Sequence, residues 1–202
     1  MIELRSVEEP HALTIAPLLA RWACDAGSPL DAWRFGGQAQ ALAALETWVL
    51  RPSSEVAFSR WQVAFRGETP EGGYAAMPEP DLVAARRSDL LALIASGGDV
   101  AALRDRLAAI SDLFLPVDAG DLYLSRIAVE PTARRRGVGA YLLSAVIATA
   151  ARSGATAVRA DVSADNGPAI ALYRSAGFGI GPERTSGRAG LSYRAVRLVI
   201  ST

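Results

Sequence analysis

The chain has 202 residues, 50% of them hydrophobic and 21% charged, so it is long enough for one α/β core and too apolar to remain disordered. Lys and Arg together number 21, as do Asp and Glu, so the total charge favours neither nucleic acid nor an anionic membrane as a partner. Cys24 is the single cysteine, which excludes an internal disulfide and a cysteine-only zinc site. The first residues lack the pattern of a signal peptide, and we expect a cytoplasmic protein without a bound metal, folded as one domain over residues 1–202.

The first half of the chain predicts a strand, two helices and a hairpin. Residues 2–7 alternate apolar and polar types, and residues 11–24 carry apolar residues at helical spacing, although Pro17 suggests a start later than His11. A second helix is expected over residues 38–50, before Pro52. Residues 61–66 and 73–77 form a predicted antiparallel hairpin whose loop is residues 67–72.

The second half predicts helices alternating with strands. Residues 80–113 have helical periodicity in two segments divided at Ser96-Gly97-Gly98. A strand over residues 121–129 then leads to a helix that includes Val138 and ends at Gly154. A short strand at 157–162, a helix from about 167 to 177 and two last strands at 178–183 and 191–200 complete the chain.

An arginine-rich and glycine-rich turn connects the strand at 121–129 to the helix after it. Its residues are Arg134, Arg135, Arg136, Gly137, Val138, Gly139 and Ala140. Free N–H groups at a helix start, with the helix dipole, can surround a phosphate, and arginines suit phosphate oxygens. A solvated basic turn, with glycines that only permit close packing, would have the same sequence. The phosphate-binding motifs of P-loop proteins and of dinucleotide-binding folds are both absent.

The turn matches Arg/Gln-x-x-Gly-x-Gly/Ala, the signature of the GNAT family of N-acetyltransferases. A second signature of that family appears as Asn166-Gly-Pro-Ala-Ile-Ala-Leu-Tyr173-Arg-Ser-Ala-Gly-Phe178. The chain therefore resembles this family over about Leu122 to Phe178. The resemblance implies an α/β (α+β) fold with a central, mixed, mostly antiparallel twisted sheet flanked by helices. The helical segment at 80–113 is extra to that pattern and precedes the coenzyme-binding strand.

The resemblance also implies that acetyl-coenzyme A is the cosubstrate, bound by a core at about 121–178. The main chain of Ile127, Ala128 and Val129 is expected to pair with the pantetheine arm, and the turn from Arg134 to Ala140 to hold the pyrophosphate. Asn166 is expected to contact the coenzyme, although an ordinary helix cap would have the same sequence. Tyr173 matches the family's general acid, although its spacing also suits a core residue.

The implied reaction is direct attack of an amine on the thioester, with the Val129 N–H polarising the carbonyl. The residues leave the general base open: Asp121 and Ser125 are candidates, Glu130 resembles a turn residue, and His11 is predicted to lie far away. The resemblance places the acceptor, a small-molecule or peptide amine, near residues 25–50 and 80–113. Trp22, Trp33, Trp48 and Trp61 could line that pocket or belong to the core.

Three further points stay open in the sequence. The chain could be a non-catalytic acyl-coenzyme A sensor or partner subunit of the same fold, or a nucleotide-binding α/β domain. The donor could carry an acyl group longer than acetyl. A homodimer is possible, because nothing in the sequence defines the oligomeric state.

Overall fold

The computed structural model describes residues 1–97 and 99–200. Seven strands form one sheet, in the spatial order β1-β2-β3-β4-β5-β7-β6. In chain order the strands are β1 (Glu3–Ser6), β2 (Trp61–Arg66), β3 (Thr69–Pro78), β4 (Asp121–Val129), β5 (Ala157–Ser163), β6 (Gly179–Ser186) and β7 (Leu191–Val199). All neighbouring strands are antiparallel except β4 and β5, which are parallel. The predicted mixed, mostly antiparallel sheet is confirmed.

Seven helices flank this sheet. They are α1 (Glu9–Gly27), α2 (Leu30–Phe35), α3 (Gln38–Trp48), α4 (Glu79–Ala95), α5 (Val100–Ile110), α6 (Val138–Ser153) and α7 (Gly167–Ser175). Buried apolar side chains of α6 and α7 pack on one face of the sheet, and those of α1 and α3 pack on the other. No helix within the described ranges is long and apolar enough to cross a membrane.

Two predictions for the N-terminal half were wrong. The first helix starts at Glu9 and contains Pro17 in its interior. Pro17 cannot donate a hydrogen bond to the carbonyl of Leu13, but Leu13 is 75% exposed, so water can bind that carbonyl. The hairpin loop is shorter than residues 67–72, because β3 begins at Thr69 and Gly67 makes the turn with a φ of 60°.

The predicted helical segment before β4 is confirmed as α4 and α5, which separate after Ser96 as predicted. Gly98, the second glycine of the predicted break, lies outside the described residues. The structure adds α2, which the sequence did not predict because its six residues are too few to show a helical period.

Strand β4 contains a bulge at Ser125. Ala75 pairs with Arg126 and Ala76 pairs with Leu124, so Ser125 has no partner on β3. Leu124 and Ile127 consequently contact the same apolar cluster, beside α6, although they are three residues apart. Ser125 and Arg126, which lie between them, line a cavity on the opposite face.

The two parallel strands separate beyond the bulge. Residues 121–123 of β4 pair with residues 157–159 of β5, and the pairing stops there. Strand β5 continues to Ser163 with β7 as its partner, while β4 continues to Val129 with β3. A gap therefore opens between β4 and β5 toward their carboxyl ends, where α6 and α7 begin.

Candidate active site

The edge of β4 that faces the gap offers main-chain hydrogen-bonding groups. The Glu130 N–H donates to the Glu71 carbonyl at 2.9 Å, and Gly73 pairs with Ala128. Hydrogen-bonded pairs alternate along an antiparallel ladder. The main-chain N–H and C=O groups of Glu130 and Ala128 therefore point toward β3, whereas those of Val129 and Ile127 point into the gap. The main-chain groups of Ala128 therefore already pair with β3, and its contact with the coenzyme stays a prediction.

The arginine-glycine turn has an unusual backbone. Arg135 and Gly137 both have left-handed conformations, with φ values of 62° and 83°. Gly137 is the N-cap of α6 and carries no side chain that could cap the first turn, which also contains no acidic residue. Alternating left-handed residues of this kind direct successive N–H groups toward one point.

The N–H groups of this turn are free. Across the described part of the chain, the N–H groups of residues 135–140 form no hydrogen bond to a main-chain or side-chain acceptor. The partial positive charge of the α6 N-terminus adds to them. The turn therefore has the donors and the field that an anion site requires, and binding of the pyrophosphate there stays a prediction.

The three arginines of the turn differ in their contacts. The Arg134 Nε donates to the Val129 carbonyl at 3.2 Å, which ties the turn to the end of β4. Arg136 lies 3.5 Å from the Glu71 carboxylate. Arg135 is exposed and has no ion pair within the described residues, so its guanidinium is available to a ligand.

Gly139 has a packing role as well. A Cβ at this position would lie 3.1 Å from the Leu172 side chain of α7 and 3.6 Å from the Val129 side chain of β4. The glycine therefore lets α6 approach both neighbours closely. A side chain here would disturb the helix packing in addition to the phosphate turn.

Asn166 caps the N-terminus of α7. Its Oδ1 accepts a hydrogen bond from the Ala169 N–H at 3.1 Å, and the side chain is exposed. The side-chain NH₂ has two further donor hydrogens. The cap interpretation is therefore confirmed, and it leaves a donor for the predicted contact with the coenzyme.

Tyr173 is buried in the cluster between α7 and the sheet. Its ring packs edge-on against Phe178, with the ring centroids 5.2 Å apart. Burial raises the pKa of the Tyr173 hydroxyl, and the nearby Asp161 carboxylate adds to the effect. The hydroxyl is therefore protonated at neutral pH and able to donate.

The candidate bases from the sequence are engaged elsewhere. The buried Asp121 carboxylate accepts from Arg197 at 3.0 and 3.1 Å and from Thr156 at 2.9 Å. The Ser125 hydroxyl donates to the Ala75 carbonyl at 3.2 Å. Glu130 is more than a turn residue, because its carboxylate accepts from the Trp22 indole at 2.6 Å.

Replacing Asp121 with Ala is expected to lower the free energy of unfolding by about 1–3 kcal/mol, because Arg197 and Thr156 lose a buried partner. Turnover at saturating substrate should stay within about twofold of wild type. The matched control is Asp118→Ala, since Asp118 is exposed and lies 3.9 Å from the same arginine. Urea titrations and initial rates measure both quantities; a large loss of kcat in a folded Asp121→Ala protein would restore this residue as a base.

The structure reveals a cavity of about 220 Å³ on the sheet face opposite α6. We name it the arginine cavity, because Arg34, Arg86 and Arg126 line it. Asp161 of β5 lies at the gap side of the cavity and accepts from the Tyr123 hydroxyl at 3.0 Å. Sequence reasoning missed these residues, since they come from distant segments without a shared motif.

The four tryptophans lie outside the arginine cavity. Trp22, Trp48 and Trp61 are buried in the cluster with α1 and α3. Trp33 donates from its indole to the Arg106 carbonyl at 3.1 Å. The tryptophans are therefore better explained as packing residues than as the lining of an acceptor pocket.

Solved structures resemble the whole chain at low sequence identity. An N-acetyltransferase from Staphylococcus aureus Mu50 superposes with a TM-score of 0.68 and 14% identity, over 97% of this chain and 100% of the other. A putative acetyltransferase from Salmonella typhimurium, solved with acetyl-CoA, superposes with a TM-score of 0.55 and 14% identity, over 99% and 94%. These likenesses support the fold.

Curated relatives match a shorter segment. The mycothiol acetyltransferase of Clavibacter sepedonicus is 42% identical over 65 residues, which cover 32% of this chain and 21% of that protein. The [ribosomal protein bS18]-alanine N-acetyltransferase of Salmonella typhimurium is 39% identical over 74 residues, covering 37% and 49%. The chain thus spans less than half the length of either relative.

The family model described as the acetyltransferase (GNAT) family matches residues 42–178, which is more than half of the chain. This range contains the bulged strand, the arginine-glycine turn and the tyrosine of α7. The chain belongs to the acetyltransferase (GNAT) family.

Proposed function

We propose that this protein transfers the acetyl group of acetyl-coenzyme A to a primary amine of a small molecule or peptide. The observation that carries the proposal is the gap between β4 and β5, which opens toward the free N–H groups of residues 135–140. An extended pantetheine arm and a pyrophosphate require these two features side by side. The relative solved with acetyl-CoA has the same fold.

Different residues around the gap suit different parts of acetyl-coenzyme A. The main chains of Ile127 and Val129 face the gap and suit hydrogen bonds to the pantetheine amides. The turn from Arg135 to Ala140 suits the pyrophosphate, and the free NH₂ of Asn166 lies at the start of the facing helix. We assign the coenzyme to the segment 121–178, and the acceptor to the side formed by residues 25–50 and 80–113, which supply part of the arginine cavity.

Acetyl-coenzyme A supplies a thioester carbonyl that a neutral amine attacks directly. The C–N bond forms and the C–S bond breaks, while the nitrogen loses its proton to solvent or to a nearby carboxylate. A main-chain N–H of β4 that points into the gap is oriented to stabilise negative charge on the carbonyl oxygen. Tyr173 gives its proton to the departing thiolate and regains one from solvent.

A calorimetric titration of the protein with acetyl-coenzyme A tests the first half of this proposal. We expect micromolar affinity, with no comparable heat from ATP or NAD, because neither presents a pantetheine arm to the gap. Equal affinity for ATP would instead indicate a general nucleotide site, and the absence of all binding would remove the proposal.

Release of free thiol with a panel of amines tests the second half. Transfer predicts amine-dependent thiol release above the rate of thioester hydrolysis. Tight binding without release from any amine would favour the non-catalytic sensor or partner subunit over the transferase.

A further inference from the structure

The arginine cavity lies directly beside the gap between β4 and β5. It is lined by Ser125 and Arg126 of β4 and by Asp161 of β5. All three come after the last residues at which β4 and β5 pair with each other, Tyr123 and Arg159. A molecule in the cavity therefore lies next to the place where the coenzyme's thioester would reach. Its volume of about 220 Å³ is below the ~300–1,000 Å³ of sites for drug-sized ligands, which favours a small acceptor.

Arg126 has a donor that the protein does not use. Its side chain is 10% exposed, its Nη2 donates to Asp31 at 2.9 Å, and its Nη1 donates to the Ser125 carbonyl at 2.8 Å. Its Nε is buried and forms no hydrogen bond within the described residues. A buried donor without an acceptor is costly, and a shift of the side chain that brings the Nε to a ligand acceptor would remove that cost.

The cavity also carries an excess of positive charge. Its walls hold Arg34, Arg86 and Arg126 against two carboxylates, Glu55 and Asp161. Burial acts to raise the pKa of Glu55, but Arg86 and Arg126 outweigh burial and lower it, so this carboxylate is ionised at neutral pH. Behind the walls, Asp31 and Arg159 add one charge of each sign, so these four arginines and three carboxylates together have a net charge of +1.

Of the two carboxylates in the cavity walls, Glu55 pairs with Arg86 and Arg126, whereas Asp161 forms no ion pair with Arg34, Arg86 or Arg126 within the described residues. Asp161 lies on β5, where its two oxygens accept from Tyr123 at 3.0 Å and Arg159 at 3.2 Å. A carboxylate has about four lone-pair sites, so Asp161 can accept another donor. An amine bound to Asp161 would stand at the gap, and a carboxylate on the same molecule would meet the arginines.

We propose that the arginine cavity binds an amino carboxylate as the acetyl acceptor, with its amine at Asp161 and its carboxylate on the Nε of Arg126. The inference rests on the proposed transferase function and narrows its acceptor. A peptide N-terminus lacks the adjacent carboxylate, and a polyamine would add positive charge to a cavity that already has an excess.

Matched acceptors on the wild-type protein give the first test. Glycine, alanine, leucine and phenylalanine are compared with their amides at saturating acetyl-coenzyme A, reading kcat/KM from thiol release. We expect at least one amino acid to exceed its amide by about tenfold or more, since a charge-assisted hydrogen bond is lost in the amide. The amine of an amino acid amide is less basic than that of the amino acid, so a larger fraction of the amide is neutral at the same pH. A preference for the amino acid therefore cannot come from the supply of neutral amine.

The variant Arg126→Lys gives the second test, because lysine keeps the charge beside Asp31 and lacks the Nε donor. KM for the amino acid should rise about tenfold or more and KM for the amide by a smaller factor, because the amide oxygen accepts only a neutral hydrogen bond, while the affinity for acetyl-coenzyme A stays unchanged. Arg51→Lys is the control, since Arg51 also pairs with a buried carboxylate, Asp89, but lies outside the cavity. Thermal unfolding shows that both variants are folded.

The outcomes separate this inference from the proposed function. Turnover of other amines or of amides, without preference for the carboxylate, would overturn the inference and leave the transferase intact. An unchanged preference in a folded Arg126→Lys protein would overturn the role of Arg126. Failure to bind acetyl-coenzyme A would overturn the transferase itself, and titration of wild-type protein with the amino acids alone would still report on the cavity.

Discussion

Replacing Tyr173 with Phe is expected to lower kcat by about 10²–10⁴-fold, the usual contribution of a positioned general acid. The affinity for acetyl-coenzyme A should stay within about twofold of wild type. The ring is buried against Phe178, so phenylalanine can occupy the same space, and the loss comes from the hydroxyl alone. Initial rates at saturating amine and a calorimetric titration measure the two quantities.

Tyr74→Phe is the matched control for this variant. Tyr74 is buried in the same apolar cluster, and its hydroxyl shares a hydrogen bond with Thr149 at 3.2 Å. Removing that hydroxyl should cost about 1 kcal/mol of stability and leave kcat unchanged. If Tyr173→Phe and Tyr74→Phe proteins turn over equally well, Tyr173 is a core residue and another group protonates the thiolate.

Replacing Gly137 with Ala is expected to weaken binding of acetyl-coenzyme A by about tenfold or more, because free N–H groups at the helix start would be redirected. Gly137 has a φ of 83°, and alanine in this region costs about 1–2 kcal/mol. Among the described residues, apart from its two chain neighbours, no heavy atom lies within 4 Å of the added Cβ, so the methyl group would occupy the open space beside the free N–H groups.

Gly154→Ala separates strain from ligand binding. Gly154 ends the same helix with a φ of 71° and also has no atom within 4 Å of an added Cβ. Both variants should lose a similar free energy of unfolding, and only Gly137→Ala should lose affinity for the coenzyme. Equal affinity in both folded variants would mean that the phosphate does not bind at this turn.

Much of the fold could be predicted because its signals are local. The strand ending at Val129, the helix stopped by Gly154 and the helix beginning after Asn166 all have their signals within a few residues. The turn at residues 134–140 was visible in the sequence for the same reason, since consecutive residues supply its N–H groups. Helix α1 was one of the exceptions, because exposure of Leu13 offsets the effect of Pro17 and exposure is a tertiary property.

The acceptor side could not be predicted in the same way. The arginine cavity joins Arg34, Glu55, Arg86, Arg126 and Asp161, which lie on separate elements and share no spacing. Arg126 lines the cavity because the bulge at Ser125 shifts the register of β4. Such a shift changes the alternation of apolar and polar residues too little to be detected in the sequence. The ion pair of Asp121 could not be predicted either, because its partner Arg197 lies 76 positions away in the chain.

The lack of a side chain at Gly139 sets how closely α6 can lie to α7 and β4. An added Cβ would come within 3.1 Å of Leu172 and 3.6 Å of Val129, so the spacing of these elements around the gap is set by packing before any ligand arrives. A ligand that enters a gap of fixed width loses less conformational freedom of the protein on binding. Acetyl-coenzyme A and free coenzyme A should therefore bind with similar association rates, and discrimination between them should appear in dissociation.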